Sequence, residues 1–148
     1  MSEDFTQTYE TIAEKLKDQK DMKIGILSTV NLNHATPAAF YAHQASRSSY
    51  YDIGLEMIDS GFDYFAGGGL LQPTGKEKDK EDLYALAEAA GYKVVQTQAE
   101  AEALKAEDGK VIAIDEHLAD SSAMSYELDR AEEEWALADY VEKGIEVL

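Results

Sequence analysis

MKIGILSTV, residues 22–30, constrains this chain more than any other stretch, being almost entirely apolar from Ile24 to Leu27. A strand with one wet face alternates apolar and polar side chains. A strand apolar on both faces needs cover above and below, and that is the habit of a parallel strand between helices. The rest of the chain supplies the cover. TYETIAEKLKDQ (8–19) sets Ile12, Ala13 and Leu16 at helical spacing with charges between them. Thr36-Pro37 reads as a helix start, with threonine at the cap and proline at the first helical position, opening a helix over PAAFYAHQAS (37–46). YYDIGLEMIDSG (50–61) reads as another helix, stopped by Gly61. DYFAGGG (63–69) is a short strand that breaks into three glycines, and LQPTGKEKDK (71–80) a polar loop. Helix EDLYALAEAAG, strand YKVVQT, helix AEAEALKAE, turn EDGK and strand VIAID complete the alternation by residue 115. After an irregular stretch from His117 to Tyr126, an acidic amphipathic helix is expected from about Leu128 to Leu148. Strand and helix alternate four times, which predicts one α/β domain over 1–148, a mostly parallel sheet with helices on both faces.

Charge limits the partners. With 30 acids against 13 bases the formal charge is −17, a surface that repels nucleic-acid backbones and anionic lipid. An anionic small molecule binds such a chain only where local cations or metals outweigh the field. Cysteine is absent, which excludes disulfides and thiolate chemistry. No apolar run reaches membrane-spanning length and MSEDFTQTYE has no signal-peptide core, so the expectation is a soluble chain with no signal peptide and no membrane partner.

Open α/β sheets bind ligands beyond the carboxyl ends of their strands, which nominates three loops. Gly67, Gly68 and Gly69 would let phosphate oxygens approach the backbone, but neither G-x-G-x-x-G nor a P-loop occurs, so a tight turn is the better account and a nucleotide-binding domain is disfavoured. DEHLAD offers Asp115, Glu116, His117 and Asp120, with no recognised ligand spacing, and reads as a solvated loop rather than a metal site. DSSAMS (120–125) places Ser121 and Ser122 after an acid, but no base stands beside them to activate a nucleophile. NHATP with SR is different in kind. Thr36 has a structural use as a cap, Arg47 as a helix-end cation and His34 as a hydrogen-bonded surface residue. Together they gather an imidazole, a hydroxyl and a guanidinium around one strand end, a hint of a phosphate-and-metal site.

That stretch resembles the alkaline phosphatases. In the family a strand of the type VGIVST is followed by HATP, a helix with YAH, and an arginine at the spacing found here; this chain has IGILST, HATP, YAH and SR. The similarity continues in the family's order through DYFAGGG, AAGYKVVQT, MSYELDR (124–130) and LADYVEKGIEVL (137–148). The resemblance implies part of a three-layer α/β/α fold. It also implies that Thr36 ligates a magnesium ion, that His34 lines the same metal site, and that Arg47 holds the substrate phosphate by two hydrogen bonds. The implied reaction is hydrolysis of phosphate monoesters through a phosphoserine, with two zinc ions and a supporting magnesium.

Other parts of the family pattern are missing. Its nucleophilic serine stands in an Asp-Ser-Ala segment ahead of the strand that here begins near Ile24, and its zinc ligands in Asp-His motifs expected after Leu148. No Asp-His pair occurs here, and DSSAMS comes too late in the chain. The expectation is an interior portion of an alkaline phosphatase that carries no catalytic nucleophile, retains the phosphate-binding Arg47 and part of the magnesium site, and is inactive alone. The parent would be periplasmic or extracellular, by family. A stand-alone ligand- or protein-binding α/β module is the alternative. A layer taken from a larger sheet exposes strand edges and apolar faces, so self-association or a homodimer is expected.

Overall fold

A computed structural model describes residues 7–148; the first six, on which part of the leader reading rests, lie outside them. The order of elements is α1 (Ile12–Lys20), β1 (Gly25–Ser28), α2 (Ala35–Ala38), α3 (Tyr50–Asp59), β2 (Tyr64–Gly67), α4 (Leu83–Ala89), β3 (Tyr92–Val95), α5 (Gln98–Glu102), β4 (Lys110–Ile114) and α6 (Leu137–Val147). The four strands form one sheet in the order β1-β2-β4-β3, and every pairing is parallel. No helix of the described residues is long and apolar enough to cross a membrane.

Side-chain alternation along the strands divides the core in two. Phe65, Ile112 and Ile114 point to one face and pack with Ala13 of α1, Ile53 and Met57 of α3, and Leu83 of α4. Their neighbours Tyr64, Ala66, Val111 and Ala113 point to the other face and meet Ala101, Leu104, Tyr140 and Val147. Each fully buried Phe or Leu contributes about 1.5–3 kcal/mol to this core. The chain travels from β1 to β2 to β3 under α2, α3 and α4, then returns to β4 through α5 on the opposite face. A fixed crossover hand requires that change of face when the direction of travel reverses. The predicted α/β fold with a parallel sheet and helices on both faces is the one observed.

Several local expectations are corrected. The helix set at 37–46 is a single turn, Ala35–Ala38. Its cap is His34 rather than Thr36: the His34 Nδ1 accepts the Thr36 N–H at 3.3 Å. Pro37 therefore sits at the third helical position, harmlessly, since the first four amides have no partner within the helix. The helix ends at Ala38, and beyond it the His43 N–H goes to the Glu56 carboxylate at 2.6 Å and not to a helical carbonyl. Arg47 consequently lies on the loop between α2 and α3 and not at a helix end. The C-terminal helix begins at Leu137 instead of Leu128. Upstream of it the Arg130 guanidinium binds the carbonyls of Ala131 and Glu134 and closes a turn, which leaves Leu128 98% exposed.

Candidate functional site

The three loops nominated from the sequence meet at the carboxyl edge of the sheet. Backbone hydrogen bonds lace them together: Leu32 N–H to Gly69 O and Gly69 N–H to Ser122 O, both 2.8 Å, and Met124 N–H to Thr29 O, also 2.8 Å. The glycines make this possible. A Cβ on Gly68 would stand 2.3 Å from the Val30 carbonyl oxygen, closer than any side chain tolerates. Gly67–Gly69 is thus a packing device, as its sequence suggested.

Two buried asparagines complete the frame, and sequence reasoning passed over both. Asn33, fully buried, donates to the carbonyls of Tyr50 and Leu71 and accepts from the Leu71 N–H, all at 2.9 Å. It ties the start of α3 to the loop after β2. Asn31 donates to Ser121 O at 3.0 Å. The readable signal was two asparagines alternating with Val30 and Leu32 right after a strand, since buried polar side chains are mostly satisfied inside; Asn33 is, whereas the buried Asn31 Oδ1 has no partner among the described residues.

His34 and Arg47 are brought together by this frame. The Arg47 Nη2 lies 3.1 Å from the His34 Nε2. A neutral imidazole has a single acceptor nitrogen, and here Nδ1 already accepts from Thr36. With Nε2 as the acceptor the Arg47 guanidinium donates to it; with the hydrogen on Nε2 both groups present donors side by side, which an anion's lone pairs accept. Arg47 is also exceptional in its electrostatics. The chain has two arginines, and Arg130 is saturated by Glu127 and two carbonyls. Arg47 forms no ion pair with any carboxylate of the described residues, in a chain of charge −17.

Thr36 is placed differently. Its exposed side lines an apolar groove with Ile12, Leu16, Ile26 and Phe40, whereas Arg47 closes a small cleft with Ala35, Ala38, Ala39 and Ala42. His34 touches both residues, but Thr36 and Arg47 open into separate hollows. Magnesium takes hard oxygen ligands, carboxylates prominent among them. No group of three His, Asp or Glu side chains among the described residues gathers into a metal site. The described residues offer such an ion one hydroxyl, and they do not fit a complete magnesium or zinc centre.

The DEHLAD loop is mostly solvated, as expected: Glu116, His117 and Asp120 are exposed. Asp115 is the exception, 7% exposed at the end of the central strand β4. Burial pushes its carboxyl above the usual range despite the His117 N–H at 2.8 Å and the nearby Tyr140 hydroxyl. Ser121 and Ser122 form a 3-10 turn whose carbonyls serve Asn31 and Gly69; among the described residues no activating base touches either hydroxyl, and Ser122 Oγ donates to Leu70 O.

Comparison with known proteins decides the family. The alkaline phosphatase family profile matches residues 2–148. This chain belongs to the alkaline phosphatase family. Solved structures agree. Alkaline phosphatase from the Antarctic bacterium TAB5 superposes with a TM-score of 0.78 at 26% identity, over 100% of this chain and 41% of that one. The cold-active enzyme from Shewanella sp. gives 0.71 at 26% identity over 93% and 31%. The Thermus thermophilus enzyme gives 0.65 at 27% identity over 86% and 27%. A TAB5 variant with magnesium bound in its M3 site matches at 0.76 and 28% identity, over 98% of this chain and 40% of that one. No match was found among curated proteins. The chain spans about two fifths or less of the length of these alkaline phosphatases.

Proposed function

We propose that this chain is the phosphate-holding portion of an alkaline phosphatase. In this reading Arg47 and His34 receive the phosphate of a monoester, and Thr36 supplies one oxygen to a magnesium ion whose other ligands lie outside the described residues. Zinc ligands and the nucleophilic serine are likewise not supplied by this chain, so it binds phosphate and does not turn substrate over. One observation carries the reading: Arg47, with no carboxylate partner among the described residues, stands 3.1 Å from the His34 ring, a guanidinium and an imidazole side by side for acceptor oxygens.

Inorganic phosphate titrated into the 148-residue chain tests it, followed by NMR on the Arg47 Nε–H and the His34 ring. Both signals should move together on one binding curve, and Arg47→Ala should weaken binding by about 10–100-fold, as expected for loss of charge-assisted hydrogen bonds. Phosphate that leaves both signals unmoved overturns the proposal. Release of nitrophenol from nitrophenyl phosphate, with zinc and magnesium supplied, should stay at background. Sustained turnover lost in Ser121→Ala or Ser122→Ala would refute the inactivity.

A further inference from the structure

Arg47 rides on a loop, Ala39–Ser49, that has no helix or strand to hold it. The loop is fastened elsewhere. Thr11 Oγ1 donates to Phe40 O at 2.6 Å, tying it to α1. The His43 N–H donates to Glu56 Oε2 at 2.6 Å, and the Gln44 amide to the other oxygen of the same carboxylate at 2.8 Å. The His43 ring reaches the opposite way, with Nε2 2.8 Å from Glu14 Oε1. Glu14 is itself immobilised, because its second oxygen accepts the Thr11 N–H at 2.6 Å in the capping box of α1. From Ala45 the chain arches over Arg47 and lands at Tyr50, whose carbonyl is gripped by Asn33. His43 is therefore the proximal foot of the arch, held by one acid from α1 and one from α3.

We propose that His43 is the positioning residue for Arg47: clamped between Glu14 and Glu56, it orders the arch that keeps the guanidinium opposite His34, and α1 thereby sets the anion affinity of the site. The proposal rests on the phosphate reading for its effect on affinity, and on geometry alone for its effect on the arch. The physical ground is preorganisation. A guanidinium ordered before the ligand arrives forfeits less conformational freedom on binding. Nothing in His43 touches the Arg47–His34 pair, so its effect must pass through the backbone of Gln44–Ser46.

The test uses the full chain and three variants, His43→Ala, His43→Gln and Glu14→Gln. Two readouts need no phosphate: amide exchange at residues 45–49, and the Arg47 Nε–H signal. In His43→Ala, exchange at the arch should rise at least tenfold while amides of β4 keep their protection, and the Arg47 signal should move toward that of a free arginine. Phosphate affinity should fall by about tenfold, the loss expected for one side chain no longer held in place. Both substitutions keep the backbone donor to Glu56; His43→Gln also restores a side-chain donor toward Glu14 and should recover most of both readouts. In Glu14→Gln the amide oxygen can keep the Thr11 N–H of the capping box but the other position becomes a donor facing His43, so loosening of the arch is expected there too. Unchanged arch exchange and an unmoved Arg47 signal in His43→Ala overturn the proposal. If that variant does not fold, the same two readouts on Glu14→Gln decide it, and no change there overturns it as well. Failure of the phosphate reading is recognised separately, as a wild-type chain in which phosphate moves neither Arg47 nor His34 while the arch still loosens in His43→Ala.

Discussion

A Cβ on Gly67 would stand 2.2 Å from the Ser28 carbonyl oxygen, at a φ of +108° that side chains rarely adopt. Gly67→Ala should therefore cost more than about 3 kcal/mol or prevent folding, measured by urea denaturation, because overlap with backbone and a left-handed φ act together. Titratable residues make the next prediction. Burial alone would raise the Asp63 carboxyl, but the Ile24 N–H and the ammonium groups of Lys17 and Lys23 outweigh it and hold it below its ordinary value. Its contribution is present above the unfolded carboxylate value and is lost as pH falls through the lower, folded one. Asp115 has the opposite sign, since burial raises it. Its contribution is largest below the unfolded value and is lost as pH rises through the folded one. Asp115→Asn should accordingly raise the Tm at pH 7 while keeping the oxygen that accepts from His117. Asp63→Asn should lower the Tm at pH 7 and flatten its fall in acid. Thermal melts of the two variants from pH 3 to 8 check both slopes.

Among the elements, α6 shows how packing overrules propensity. Gly144 lies inside this helix, where glycine costs about 1 kcal/mol relative to alanine. Propensity predicts that Gly144→Ala stabilises. The structure reverses the sign, because a Cβ there would lie 2.8 Å from the Tyr64 ring on β2, and that ring is itself fixed by a hydrogen bond to Tyr140 O. Destabilisation by about 1–3 kcal/mol is the expected outcome of such overpacking, read from denaturant midpoints. The α2 turn follows the same logic. Read from sequence, its threonine and proline mark a helix start and its alanines propose three turns. The turn ends at Ala38, and past it the His43 amide goes to Glu56, 13 residues further on. No local pattern contains that partner.

At the scale of the whole molecule, β1 is the exposed side of the sheet. Its four residues are all half-buried where those of β2 are fully buried. The groove beside it includes Ile12 and Phe40, which are 61% and 44% exposed. We expect the isolated chain to self-associate through this edge. Since each copy carries −17, association should strengthen with added salt as repulsion is screened, and light scattering across a salt series measures it. A monomer at high concentration and high salt would contradict this. The sheet class, its parallel sense and its cover of helices were legible in the chain itself, because period and burial of the kind found in Ile24–Leu27 are local properties of the sequence. So were the three loops at the carboxyl edge, which follow from chain direction alone, and the family resemblance carried by HATP and SR. Strand order, the cap at His34 and the pairing of Arg47 with His34 were decided only by the tertiary structure. The His34 cap reaches only two residues on, but the rest depends on partners far along the chain: Glu14 and Glu56 for the loop bearing Arg47, Ser28 and Val30 for the glycines. Hydrogen bonds between distant residues leave no periodic trace, and they exist only once the two cores have closed around the sheet.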